Sequence, residues 1–334
     1  MRIALALALA GVLVSSAAAF ARDAARGVPR GFSPEAAAAA GTHDLWVLGG
    51  DVLLRSTDGG RRFHRIAAPP LDDSVTEPAV VFANRHDGFA YVWDSGPLYV
   101  THDGGTSWHR TRPRGPVDAL ALAKGEVFAV FARSRLERAS VSSAVWHPLP
   151  FLLKRGLPLS LAARGRDVWL LGIPKHHRQN DSDELVRSGN GGRTFSAGPG
   201  PCFSELGGTL EPAGDGIVWA VCPTGNFSQT HRSTNGGRSF RIVPTPGQTN
   251  GARVVAFSGR GALLERGVNG PPYRTVDGGA RWNVVRGMTR NDEVVWVAFP
   301  SRRLGVAVVQ PTAGRTQLLR TTDSGATWLS MPIR

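Results

Sequence analysis

The stretch Ser56-Thr57-Asp58-Gly59-Gly60-Arg61-Arg62-Phe63 decides the fold, because its pattern returns five more times along the chain. Thr101 to Trp108, Ser188 to Phe195, Ser233 to Phe240, Thr275 to Trp282 and Thr321 to Trp328 share its form: Ser/Thr, any residue, Asp/Asn, any residue, Gly, any two, then Trp/Phe. The third residues of these octets are Asp58, Asp103, Asn190, Asn235, Asp277 and Asp323. They follow one another at intervals of 42–46 residues, apart from one interval of 87 between Asp103 and Asn190. The midpoint of that long interval holds Ala139 to Trp146, which keeps the terminal aromatic but has lost the Asp and both glycines. Counted as a seventh, degenerate octet, it gives units of about 43 residues, the length of a four-stranded propeller blade.

Each octet makes physical sense as a tight turn between two strands. The Asp or Asn oxygen can accept from backbone N–H groups further round the turn, the fifth-position Gly takes a positive φ without penalty, and the last aromatic starts the next strand. A structural turn accounts for the octet fully, so its carboxylates are read as scaffold. Upstream of each octet lies a polar turn followed by an apolar run, as in His43 to Leu48, His86 to Trp93, Arg166 to Leu171 and Asp215 to Val221. Their alternation and their β-branched and aromatic residues mark strands. A further apolar run precedes these, for example Pro78 to Ala83. Each unit therefore has four strands, with the octet between the third and fourth. The run Ala36 to Ala40 has helical propensity, but its register against Pro78 to Ala83 makes it the innermost strand of the first unit. The expected fold is all-β: a seven-bladed propeller of four-stranded antiparallel blades over residues 33–334, closed by packing of its two terminal blades.

The amino terminus reads as an address. Met1-Arg2 is followed by an apolar run from Ile3 to Val14 and by small residues at Ala17, Ala19 and Ala21, the layout of a secretory signal peptide cut after Ala19 or Ala21. Residues 1–21 are thus expected to be a leader and 22–32 a linker, with the product exported to a periplasmic or extracellular space. No later stretch has the apolar length of a transmembrane helix. The first cysteine is Cys202, which excludes a lipidated cysteine at the cleavage site. Among 334 residues, Gly (41) and Pro (23) are spread throughout, which argues against long helices. Lys and Arg total 39, only Lys124, Lys154 and Lys175 being lysines, against 26 acidic residues, for a net charge of +13. That balance suits an anionic partner.

The octets resemble the Asp-box, or BNR, repeats of sialidase-like β-propellers, over nearly the whole mature chain. Such repeats occur in sialidases, glucan-cleaving hydrolases, sortilin-type receptors and the photosystem II assembly-factor group. The chain is most similar to the secreted WD40/YVTN/BNR-like repeat proteins. The resemblance speaks for fold more than for chemistry. A sialidase implies an arginine triad opening with Arg-Ile-Pro and a Tyr-Glu pair, and this chain has no Arg-Ile-Pro. Its three tyrosines, Tyr91, Tyr99 and Tyr273, fall on strands and read as packing. Another glycosidase needs two carboxylates roughly 5 to 9.5 Å apart, and the loops opposite the octets offer Asp72, Asp73, Asp94, Asp181, Asp183 and Glu184.

The richest of those loops, Pro174 to Asp183, gathers Lys175, His176, His177, Asp181 and Asp183 as candidate ligand-binding residues. Adjacent histidines tend to point apart, and no C-x-x-C or H-x-x-x-H accompanies them, so a solvated loop is the simpler reading and neither metal nor cofactor is expected. Cys202 precedes the fifth unit and Cys222 ends its second strand, which places both on the face opposite the octets; with export, a Cys202–Cys222 disulfide is expected. The leading functional expectation is a non-enzymatic, monomeric platform for a protein or an anionic surface polymer, nucleic acid being a poor partner outside the cell. The candidate contacts are Arg110, Arg112 and Arg114, then Arg133, Arg135 and Arg138, then Arg302 and Arg303. The alternative is a carbohydrate-active hydrolase with its cleft opposite the octets.

Overall fold

The structure, a computed structural model, describes residues 28–29, 31–72, 78–111, 115–133, 135–152, 156–174, 181–203, 206–225, 227–246, 252–265, 270–311 and 314–331. The expected leader and most of the linker lie outside these residues. Among the described residues 28 strands form seven four-stranded antiparallel sheets, each built from consecutive strands. Blade one spans residues 36–66, blade two 78–110, blade three 117–152 and blade four 156–203. Blades five, six and seven span 209–243, 253–284 and 292–331. Ala36–Ala40 is the first strand of blade one, paired along its whole length with Asp44–Gly49. Among the described residues no strand is exchanged between the ends of the chain. Among the described residues no helix is long and apolar enough to cross a membrane.

The six full octets share one hydrogen-bond scheme. The Ser/Thr hydroxyl donates to the Asp/Asn Oδ1 at 2.7–2.9 Å. The same hydroxyl accepts from the fifth-position Gly N–H at 2.8–3.0 Å. The seventh residue's N–H donates to that Oδ1 at 2.9–3.0 Å. Buried turn donors are thereby satisfied within eight residues. The fourth residue's N–H reaches the turn between the first and second strands of the same blade, as Gly59 does to the His43 carbonyl at 2.9 Å. The octets and those turns therefore share one face of the disc. The degenerate octet keeps the register, Ala139 standing opposite Val127. Its turn is pulled in by one residue: Val141, at position three, makes the bond to Gly125 that position four makes elsewhere. Ala144 supplies the positive φ, at 49°.

The octet also closes the ring. Each terminal aromatic packs in the seam between its own blade and the preceding one, against a second-strand residue of that preceding blade. Going round, the pairs are Trp46 with Trp108, Phe89 with Trp146, Phe128 with Phe195 and Trp169 with Phe240. Trp219 with Trp282, Leu263 with Trp328 and finally Val306 with Phe63 complete the circuit. Seven apolar clusters thus bridge seven pairs of blades, and the last joins blade seven to blade one. The fifth-position Gly is required twice over. Its φ is +87° at Gly60 and +93° at Gly105, and a Cβ there would lie 2.8 Å from Met331 Cε or Ile66 Cδ1 of the preceding blade.

The octet carboxylates carry a pH dependence. The Arg62 N–H holds Asp58, and the Arg281 N–H holds Asp277, below the usual carboxylate range. At Asp103 and Asp323 burial pushes upward, but bonds from Ser107 and Thr327 outweigh it and both remain lowered. A carboxyl more acidic in the folded state contributes stability above its unfolded pKa of roughly 4, and loses it as the pH falls through the folded value. We expect the melting temperature to drop between pH 5 and pH 3, measured by circular dichroism. Replacing Asp58, Asp103, Asp277 and Asp323 together by Asn, the residue natural at 190 and 235, is expected to flatten that drop. Asp323→Ala is expected to cost about 1–2 kcal/mol at neutral pH.

Candidate functional site

The face bearing the octets has a second repeat. The residue before the octet is Arg in six of seven blades: Arg55, Arg138, Arg187, Arg232, Arg274 and Arg320, with Val100 in blade two. Strand pairing sets each beside the second-strand residue that enters the seam, Arg55 opposite Trp46 and Arg232 opposite Trp219, for example. Four of these arginines reach over the seam to a carbonyl of the next blade. Arg55 donates to Arg85 O at 3.0 Å and Arg138 to Gly191 O at 3.0 Å. Arg232 donates to Gly259 O at 2.8 Å and Arg274 to Ser324 O at 2.6 Å. The guanidinium of Arg232 also lies over Trp219, 5.4 Å from its ring centre. Trp46 Nε1 and Trp169 Nε1 donate across the same seams to Gly104 O and Gly236 O, each at 2.9 Å. These side chains clamp blade to blade. The sequence signal, Arg immediately before the octet Ser or Thr, is present but reads as ordinary surface charge until the sheet face is known.

The expected cationic clusters fare unequally. Arg133, Arg135 and Arg138 do not form a free patch: Arg133 pairs with Asp94 and Asp118, Arg135 with Glu137 at 3.6 Å, and Arg138 with Glu126 at 3.3 Å. Glu137 lies two residues along the strand of Arg135, while the acids that meet Arg133 and Arg138 come from other strands and loops, which chain position alone does not reveal. Arg110 is exposed on the outermost strand of blade two, and Arg302 and Arg303 are exposed on the first turn of blade seven, so they are not brought together. Arg112 and Arg114 lie outside the described residues. The octet face instead carries exposed arginines distributed around the disc, among them Arg62, Arg85, Arg193, Arg238, Arg281 and Arg303. None of these six has a carboxylate partner within 4.0 Å among the described residues.

The opposite face is more nearly balanced. Asp94 and Asp118 converge on Arg133, and burial, with the Asp94 charge as a further contribution, raises Asp118 above its ordinary range. Arg253 bonds Glu265 through Nε at 3.0 Å and Nη2 at 2.9 Å. Glu211 accepts from Ala256 N at 3.2 Å, covering an edge N–H of the innermost strand of blade six. Tyr91 packs between blades two and three, where desolvation pushes its phenol up to about 12. Lys175, His176, His177 and Asp73 lie outside the described residues, and Asp181 is exposed. Among the described residues no group of three or more His, Cys, Asp or Glu side chains converges as a metal site would require.

Asp183, expected in a loop, belongs to the third strand of blade four and is only 1% exposed. Cys202 and Cys222 are bonded to each other with a Cα separation of 5.1 Å, which ties blade four to blade five. Asp183 Oδ1 accepts from the Cys202 N–H at 3.1 Å, while Oδ2 is buried without a partner. Burial pushes its carboxyl up to about 7. A carboxyl less acidic in the folded state than in the unfolded chain erodes stability as pH rises between the two values. We expect this group to lower the melting temperature between about pH 4 and pH 7, and Asp183→Asn to remove that component. With the cysteines 3% and 2% exposed, a reductant is expected to leave the bond intact in the folded protein, as thiol titration under native conditions would show. Replacing both by Ala is expected to cost about 3 kcal/mol, as for a loop of some 20 residues.

No family model matches the chain, and no curated protein does. Solved structures do. YCF48 from Cyanidioschyzon merolae superposes with a TM-score of 0.62 at 15% identity, over 88% of this chain and 97% of that one. A structure of YCF48 bound to a D1 peptide gives 0.61 at 17% identity, over 89% and 95%. An ancestral GH74 enzyme gives 0.60 at 12% identity, over 92% of this chain but only 46% of that enzyme. At these identities the likeness establishes a shared propeller fold.

Proposed function

We propose that the protein is an exported, non-enzymatic propeller of the Asp-box type that holds an acidic protein partner on its octet face. One observation carries this reading: arginines without acidic partners surround that face, while the octet carboxylates are spent on their own turns. The fold supports it as well, since a YCF48 propeller of comparable size holds a peptide. The second reading, carbohydrate hydrolysis, has one point in its favour. Asp94 and Asp118 converge opposite the octets, and Asp118 is raised, as a general acid requires. Arg133 sits between them and ties up both carboxylates, which disfavours that use.

A pull-down from the native envelope fraction tests the proposal. Binding is expected to weaken at least tenfold between 50 and 500 mM salt, because the screening length of exposed charges shrinks from roughly 14 to 4 Å over such a range. It is expected to disappear when Arg193, Arg238 and Arg281 are replaced together by Glu. Salt-insensitive capture, or capture by the triple variant, defeats the reading. Chromogenic glycosides, including a sialoside, are expected to show no turnover.

A further inference from the structure

The closing seam differs from the other six. It is joined by Val306 and Phe63, the pair with the least side-chain volume in the ring, where other seams hold Trp with Trp or Leu with Trp. A cavity of about 600 Å³ opens beside it on the octet face, between blades seven and one. Its walls include Arg61 of the first octet, and Arg320, Thr327, Leu329, Ser330 and Met331 of blade seven. Arg320 is the clamp arginine of blade seven, but across this seam it finds no carbonyl. No hydrogen bond or ion pair engages its guanidinium among the described residues, and its Nε is buried without a partner. Arg187 also makes no carbonyl bond, yet it lies against Gly237 in a seam filled by Trp169. Arg320 therefore combines a free guanidinium with adjacent empty space. A second hollow, of about 520 Å³ beside the degenerate octet, has its charges paired internally through Arg135 and Glu137.

We propose that this cavity is a specificity pocket for an extended acidic peptide, with a Glu or Asp carboxylate held by Arg320 and Arg61 and an aliphatic neighbour packed on Leu329 and Met331. The inference rests on the reading of the octet face as a protein-binding surface and names the pocket within it. Its volume is in the range of ligand sites. Two guanidinium groups match a carboxylate in charge and hydrogen-bonding geometry. Leu329–Met331 is the outermost strand of blade seven, so its free edge can pair with an extended chain. The Asp323 carboxylate also lines the cavity, but it is already engaged by the N–H groups of Ala326 and Thr327 and by the Thr321 hydroxyl. Sugar rings pack on aromatic faces, and none of the lining residues is aromatic, which favours a peptide over a polysaccharide.

The test uses the full chain and fluorescein-labelled Leu-Glu-Leu-Glu-Leu, read by fluorescence anisotropy, with Leu-Gln-Leu-Gln-Leu and Leu-Lys-Leu-Lys-Leu as comparison probes. Binding of the Glu peptide is expected to weaken at least tenfold in Arg320→Gln, and to be equally weak for the Gln and Lys peptides on the unmodified protein. Arg290→Gln, an equal loss of charge on the opposite face, is expected to bind as the unmodified protein does. Ser330→Trp, which fills the cavity from its own wall, is expected to weaken binding while circular dichroism reports an intact fold. Unchanged affinity in Arg320→Gln, equal losses in Arg290→Gln, or tighter binding of oligoglucuronate than of the Glu peptide overturns the pocket. If the envelope pull-down captures its partner equally with Arg320→Gln, the platform stands and the pocket falls. If peptide binding behaves as expected while the pull-down captures nothing, the pocket stands and the platform falls.

Discussion

The contact on which the molecule depends is the one between a second-strand side chain of one blade and the octet of the next. A four-stranded sheet of this kind is apolar on both faces and cannot be buried alone. Each must be covered by a neighbour on either side, and the chain must return to its start to cover the last. The octet serves that requirement twice. Its hydrogen bonds hold a turn narrow enough to enter the seam, and its aromatic fills the space that the turn leaves. Removal of either end exposes apolar surface at about 25 cal/mol per Å².

The arginine ahead of the octet adds a polar layer at the lip of each seam. Its stem lies along the aromatic and, where the geometry allows, its head satisfies a carbonyl of the following blade. This distribution changes how the net charge is understood. Part of the arginine content is structural. On the octet face, Arg62, Arg85, Arg193, Arg238, Arg281 and Arg303 stand around the disc without a carboxylate partner among the described residues, whereas the expected cluster Arg133, Arg135 and Arg138 is neutralised by nearby acids. Charge available to a partner is therefore a property of one face and not of any run of sequence.

The same reasoning separates the two faces chemically. On the octet face the octet carboxylates are consumed by their turns, Asp44 and Glu126 pair with the clamp arginines Arg55 and Arg138, and six exposed arginines have no carboxylate partner among the described residues. On the opposite face, acids and arginines pair at Arg133 and Arg253, and a disulfide ties blade four to blade five beside a buried Asp183. The two faces thus differ in how far their charges are paired, and the proposed binding role rests on that difference.

The blade number, the strand order and the turn chemistry were legible in the sequence, because each octet is a local structure whose donors and acceptors lie within eight residues. The proximity of Cys202 and Cys222 followed from that topology. What the sequence by itself left open depends on residues far apart in the chain. The role of Arg before Ser or Thr requires knowing which sheet face it occupies and what the next blade offers. The burial of Asp183 depends on the fourth strand folding over it. The cavity at the closing seam is walled by Gly60 and Arg61 of blade one and by Arg320, Leu329 and Met331 of blade seven, residues from opposite ends of the chain that meet only after the ring has closed.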